Sequence, residues 1–135
     1  MKWLLDTNAC IRYLNGRSPE LRAKVVAAGD AAIVVCSVVK AELFFGAARS
    51  TDPTKTLAKQ QHFLSRFASL PFDDAAASVF GTVRGHLTNI GQVIGPNDLM
   101  IAAIGIANGV KLVSRNLAEF SRVPGLSVED WEATP

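Results

Sequence analysis

Residues that make soft-metal and redox motifs are scarce in this chain. Its 135 residues include two cysteines and two histidines. Cys10 and Cys36 stand at no metal-binding or redox spacing, and are expected to be reduced, buried thiols of a cytoplasmic protein. His62 and His86 have no partner at ligand spacing and are expected to be surface or packing histidines. Long apolar runs are missing too. The longest, Leu99 to Val113, is broken by Asn108 and Lys111, which leaves nothing able to span a bilayer. The first residues offer one lysine and a brief apolar run stopped by Asp6, which is not the pattern of a signal peptide. No repeat, low-complexity tract or Pro/Gly-rich linker divides the chain, so residues 1–135 are expected to form a single domain. Hydrophobic content of 49% against 19% charged residues excludes disorder as the main state.

What is present is an alternation of short apolar segments with helical ones. "KWLL" is a strand ending at Asp6, with a helix starting soon after. "SPELRAKVVAAG" carries Ser18 as N-cap, Pro19 at the first helical position and Gly29 as the stop. "AAIVVC" is a buried strand followed by a helix through "VVKAELFFGAA". Asp52-Pro53 opens a helix running to about Phe67, and "SLPF" is a strand. A helix from Asp73 or Asp74 puts Ala76, Val79, Phe80, Val83, Leu87 and Ile90 on its inner face. Another runs from Gly95-Pro96 to Gly109, and "VKLVS" is the next strand. The pattern predicts an α/β fold with a central parallel sheet and helices on both faces. Ligand crevices in such sheets lie beyond the carboxyl ends of the strands, where Asp6 and Ser114–Asn116 fall.

Three acids stand where acids are costly. Asp98 heads a helix whose same-face neighbours, Ile101 and Ala102, are apolar. Glu42 shares its helix face with Val38, Val39, Phe45 and Gly46. Asp6 ends a buried strand. Each also has an ordinary structural reading: a helix cap for Asp6, a paired glutamate for Glu42, a helix-dipole contact for Asp98. Together they point further. If carboxylates from three segments converge, protons or a cation must relieve their repulsion. An all-oxygen donor set suits Mg²⁺ or Mn²⁺, which bind phosphate oxygens of a substrate, and phosphodiester hydrolysis is the matching chemistry. Counting Glu119 with these acids and setting all four aside leaves 14 basic against 8 acidic residues, a surface able to attract a polyanion. Lys55, Lys59, His62 and Arg66 form a basic stripe at helical spacing, which alone reads as a solvated helix face.

"LLDTN", "KAELFFGA", "IGPNDLMIAA" and "LVSRNLAEFSRVPGL" occur in the order and spacing of PIN domains. The chain resembles in particular the VapC-type toxins of bacterial toxin–antitoxin pairs, over essentially its whole length including "VEDW". The resemblance implies a PIN-like fold and a metal-dependent endoribonuclease that cuts a tRNA or ribosomal RNA loop. By position Asp6, Glu42 and Asp98 match the acidic triad, with Asp6 and Asp98 holding Mg²⁺ or Mn²⁺. Thr7, Ser37 and Ser114 match hydroxyl positions near the pocket. Many PIN domains carry a fourth acid where this chain has Asn116, and Glu119 three residues later is expected to supply that charge. The implied partners are the RNA substrate, a second copy in a homodimer, and a VapB-type antitoxin in a larger hetero-oligomer, with no membrane. Phe44 and Phe45, with Leu57 and Leu64 of the next helix, are the expected antitoxin groove. A HAD-like phosphatase would need a second aspartate in "DTNAC", and a receiver domain needs clustered N-terminal acids and a late lysine; neither pattern occurs. A catalytically silent PIN-fold module for RNA or protein binding is the alternative, kept open by Asn116.

Overall fold

The computed structural model describes residues 1–133; the last two residues of the span expected as one domain lie outside it. Five short parallel strands form one sheet in the order β3-β2-β1-β4-β5. They are β1 (Trp3–Leu5), β2 (Ile33–Cys36), β3 (Ala68–Leu70), β4 (Lys111–Val113) and β5 (Val128–Glu129). Parallel neighbours need long crossovers, and each one here carries helix. α1 (Thr7–Asn15) and α2 (Pro19–Ala28) join β1 to β2, while α3 (Ser37–Ala48) and α4 (Pro53–Leu64) join β2 to β3. α5 (Asp74–Asn89) and α6 (Pro96–Asn108) return the chain to β4, and α7 (Leu117–Phe120) precedes β5. Because β2 and β3 lie on one side of β1 and β4 and β5 on the other, right-handed crossovers put α1–α4 on one face and α5–α7 on the other. The expected parallel sheet with both faces covered is therefore present. No helix among the described residues is long and apolar enough to cross a membrane.

Local chemistry sets the helix ends. Ser18 accepts from the Leu21 amide at 3.3 Å, Asp52 from Lys55 at 3.1 Å and Asp73 from Ala76 at 3.0 Å, each filling one of the amide vacancies of a first turn. Gly109, at φ 64°, closes α6 in the left-handed conformation and lets Val110 bond back to Gly105 before β4 begins. Leu4, Leu5, Val34, Val35 and Leu112 are fully buried between the layers, as are Ile101, Ala102 and Ile104 of α6. Cys10 and Cys36 are free and buried, and burial raises both thiols. His62 and His86 are exposed. Trp3 and Trp131 pack in a tilted pair with centroids 5.5 Å apart, and both indoles donate to Glu129, which seats Trp131 beside the sheet edge.

Several boundaries differ from the sequence expectation. α4 stops at Leu64, because Arg66 and Phe67 take i−3 bonds that tighten the chain into the turn toward β3. β3 covers Ala68–Leu70 rather than "SLPF", since Pro71 has no N–H to extend the ladder. Ala31 and Ala32 belong to a 3₁₀ turn, so β2 begins at Ile33. Ile90 lies past the end of α5 and is exposed instead of facing inward. Leu64 is buried in the core and so takes no part in a surface groove.

Candidate active site

β1 and β4 are neighbours whose onward connections run in opposite directions, the arrangement that opens a crevice at the carboxyl ends of the strands. The Asp6 amide extends the ladder by donating to Val113 O at 3.2 Å, so Asp6 and Ser114 emerge side by side. Both are buried. Asp6 does cap α1, accepting from the Ala9 amide at 2.8 Å, so its ordinary reading and its place in the site hold together. Burial raises the Asp6 carboxyl above its usual range, opposed by the Ser114 hydroxyl, the Ala9 amide and the positive charge of Arg12.

The other acids reach the same crevice from three helices. Glu42 stands mid-way along α3, where Thr7 donates its hydroxyl to Oε1 at 2.6 Å. Its face is only half apolar in its surroundings: Val38 and Val39 are buried, but Phe45 and Gly46 are exposed, so Glu42 lies on a border and not in the core. Glu119, in α7, accepts from the Asn116 side-chain amide at 3.1 Å, and the Asn116 backbone amide is itself held by Ser114 Oγ at 2.9 Å. Asn116 thus positions an acid three residues along from the place where a fourth acid was expected. Ser37 Oγ accepts from the Phe72 amide at 3.2 Å, tying the start of α3 to the segment after β3.

Asp98 is the exception among the four, because among the described residues no donor reaches its carboxylate. It sits in the first turn of α6, half-buried above the fully buried Ile101 and Ala102. Burial pushes its carboxyl up to about 6, helped by the charges of Glu42, Glu119 and Asp6. Three other carboxylates thus add to the effect of burial on the aspartate at the head of this apolar helix.

Beside them opens a cleft of about 660 Å³ lined by Thr7, Asn8, Ser37, Glu42, Phe45 and Asn97, with Glu42 the one acid of the four in its wall. Two features escape sequence reading. Asn8 and Asn97 bring amides to the cleft, a role hinted at only by their positions beside Asp6 and Asp98. Arg12 is clamped by Glu132 through Nε at 2.8 and 2.7 Å and through Nη2 at 2.6 Å, and a pair separated by 120 residues leaves no local signal.

The donor set suits a hard divalent cation. It is all oxygen, from Asp6, Glu42, Asp98 and Glu119, and the last three lie at intermediate exposure. Among the described residues no group of three or more His, Cys, Asp or Glu side chains is placed to hold a metal ion by itself. Mg²⁺ characteristically uses one or two carboxylates with waters and substrate phosphate, so an open set of this kind fits it.

Known proteins share this chain's sequence and shape. Residues 3–126 match the PIN domain family. The tRNA(fMet)-specific endonuclease VapC of Salmonella typhimurium is 35% identical over 131 residues, covering 97% of this chain and 98% of that protein. Ribonuclease VapC2 of Haemophilus influenzae is 38% identical over 132 residues, covering 97% and 98%. The DNA-bound VapBC crystal structure from Salmonella typhimurium contains a chain that superposes with a TM-score of 0.92 at 35% identity, covering 97% of this chain and 98% of that one.

The strain at Asp98 can be weighed without any substrate. A carboxyl raised to about 6 from 3.8 binds its proton more tightly in the folded chain than in the unfolded one. Its favourable contribution is complete below about pH 4 and is lost as pH rises through about 6. Asp98→Asn is therefore expected to stabilise the chelator-treated protein near pH 8 by about 1 kcal/mol, allowing for screening at a half-exposed site, or roughly 3 °C in Tm. The gain should vanish near pH 4. Thermal melts at both pH values check this, and equal Tm near pH 8 would mean that neither burial nor the neighbouring acids raise Asp98.

Proposed function

The chain belongs to the PIN-domain family, in its VapC branch, and from that premise we propose that it is a Mg²⁺- or Mn²⁺-dependent endoribonuclease toxin, acting in the cytoplasm on a tRNA or ribosomal RNA loop and silenced by a VapB-type antitoxin. The observation that carries the reading is Asp98 at the sheet's switch point, its carboxyl raised by burial and further by the charges of Glu42, Glu119 and Asp6. Convergence of this kind is unfavourable in isolation and becomes useful only when a cation enters. Asp6 and Asp98 are the residues assigned to hold it. Bound there, the ion supplies Lewis acidity toward a phosphodiester oxygen and lowers the pKa of water.

The side chains of this protein divide the remaining work. Glu42, fixed by the Thr7 hydroxyl, faces the cleft and orients the attacking water, whose proton it is placed to accept. Water oxygen bonds to phosphorus, and the ribose oxygen on the far side departs with its electron pair. Glu119 completes the acidic set, and Asn116 holds it in place. Ser114 buttresses both Asp6 and the Asn116 backbone. Asn8 and Asn97 are amides able to hydrogen-bond RNA at the cleft wall. Loops are the natural target because their unstacked bases can splay open over such a cleft.

An active ribonuclease needs restraint, and the consecutive phenylalanines offer two points of contact. Phe45 is 64% exposed and faces the acidic cleft, whereas Phe44 lines a separate groove of about 350 Å³ with Ala47, Pro53 and Leu57, between α3 and α4. An apolar antitoxin segment fits the Phe44 groove, and an arginine beyond it pairs with the carboxylates in competition with metal. The toxin forms a homodimer and a larger hetero-oligomer with its antitoxin.

RNA cleavage by the purified chain is expected at one or a few sites of a structured RNA, dependent on Mg²⁺ or Mn²⁺ and reduced by about two orders of magnitude or more in Asp6→Asn. Sequencing of cleavage products from total RNA checks this; uniform digestion, or cutting undiminished in Asp6→Asn, contradicts it. Phe44→Asp is expected to weaken the antitoxin complex by roughly thirtyfold while leaving cleavage by the free toxin intact. Titration with the product of the adjacent small reading frame reads the loss, and unaltered affinity rules out this groove.

A further inference from the structure

A phosphodiester that reaches the carboxylates brings its bases with it, and the wall beside Glu42 decides where they go. Glu42, Phe45 and Arg49 stand at i, i+3 and i+7 along α3 and its C-cap, so they follow one another down one helix face. Glu42 and Phe45 both line the cleft of about 660 Å³. An acid, a ring and a cation thus stand in line at the mouth of the proposed active site.

Phe45 differs from the other aromatic side chains. Among the described residues both tryptophans, Tyr13 and four of the phenylalanines pack on another ring, and Phe120 is buried in the core. Phe44 is 36% exposed, and the wall of its groove carries no acid. Phe45 is 64% exposed and is covered by the Arg49 guanidinium, 5.4 Å from the ring centroid. A cation on one side steadies the ring, and so large an exposure leaves a π-face free. Arg49 itself ends α3, where the helix dipole favours a cation, and has no carboxylate partner among the described residues. Its charge remains available to a phosphate.

The wall around the ring is chemically mixed. Ile11 and Met100 supply apolar surface, while Asn8 and Asn97 carry amides that both donate and accept. A nucleobase has the matching character, an apolar π-face with a polar edge. An aliphatic side chain would use the ring and leave the amides and the Arg49 charge unanswered.

We propose that Phe45 is a stacking platform for the unpaired base next to the scissile phosphate, with Arg49 binding the adjoining backbone phosphate. The inference rests on the nuclease reading and adds how the substrate is seated: the base lies on Phe45 while its phosphodiester lies at the carboxylates. Every base has a π-face, so the ring supplies hold and orientation, and the amides of Asn8 and Asn97 are placed to meet the base edge. Bases inside a duplex are already stacked on one another, so the platform favours a loop.

The test uses the full chain in the cleavage-deficient Asp6→Asn background, with bulk tRNA as one probe and inorganic polyphosphate, a polyanion without bases, as the other. Phe45→Ala is expected to weaken tRNA binding about tenfold, the loss of one base–aromatic stack, and to leave polyphosphate binding unchanged. Phe45→Trp should keep tRNA affinity, whereas Phe45→Leu, apolar but without a ring, should lose it as alanine does. Arg49→Gln should make the slope of log K against log salt shallower by roughly 0.7, one phosphate contact on a single strand, and Phe45→Ala should not move that slope. Melting temperature should be the same in all four variants, because both side chains are exposed. Wild-type affinity in Phe45→Ala or Phe45→Leu, or alanine-like affinity in Phe45→Trp, would overturn the platform. A dimer that dissociates in Phe45→Ala would also overturn it, making the ring a contact with a second copy. Loss of antitoxin binding with tRNA binding intact would do the same, making it a protein-docking surface. A chain that binds tRNA with this dependence on Phe45 but cuts no RNA would overturn the nuclease reading and uphold the platform.

Discussion

Carrying carboxylates at a partly buried crevice is the constraint around which the site is arranged: burial raises the Asp98 carboxyl, and the charges of Glu42, Glu119 and Asp6 add to the rise. Each acid but one has a local means of bearing it. Asp6 takes an amide of its own helix and is backed by Ser114, Glu42 takes the Thr7 hydroxyl, and Glu119 takes the Asn116 amide. Asp98 takes none among the described residues, and its carboxyl is pushed up to about 6. The group left without a donor is thus the one at the head of α6, where the proposed cation would act. The helix dipole at that end gives some relief, on the order of 1 kcal/mol at most for an exposed group.

The sheet makes this arrangement possible. Strand order β3-β2-β1-β4-β5 puts the ends of β1 and β4 together, so residues more than 100 positions apart, Asp6 and Ser114, become neighbours without any side-chain recognition between them. α3, α6 and α7 then each present one acid over that edge. Outward from it, the surface separates by character. An acidic cleft adjoins Glu42, an apolar groove lies at Phe44, and a cationic groove runs along α4. Phe45 and Ile11 border the cleft beside Glu42.

Much of this was legible in the residues because the signals were local. Capping at Ser18, Asp52 and Asp73, the stop at Gly109, and apolar strands alternating with amphipathic helices all act over a few residues, and the layered α/β fold follows from them. Asp98 could be singled out because Ile101 and Ala102 share its face. Glu42 was placed in a more apolar setting than it has, since periodicity cannot tell a buried face from the rim of a cleft. Phe44 and Phe45 could be told apart in direction but not in destination. Long-range pairs left no trace at all: the Arg12–Glu132 clamp and the Trp3–Trp131 pair depend on where β5 brings the end of the chain. The stripe on α4 read as a solvated face, and Lys55, Lys59, His62 and Arg66 are indeed exposed; what its spacing does not reveal is that Tyr13 and Arg22 stand opposite it.

The central claim is that the four carboxylates share one field and that a divalent cation relieves it. Its most direct measurement is an NMR titration of the Asp98 side-chain carboxyl carbon, in chelator and then in saturating Mg²⁺. The account predicts a midpoint near 6 in chelator. It predicts a fall toward the ordinary range in Glu42→Gln, and a fall well below the chelator value when Mg²⁺ is present. An ordinary aspartate midpoint in chelator, or one that neither Glu42→Gln nor Mg²⁺ moves, would contradict it.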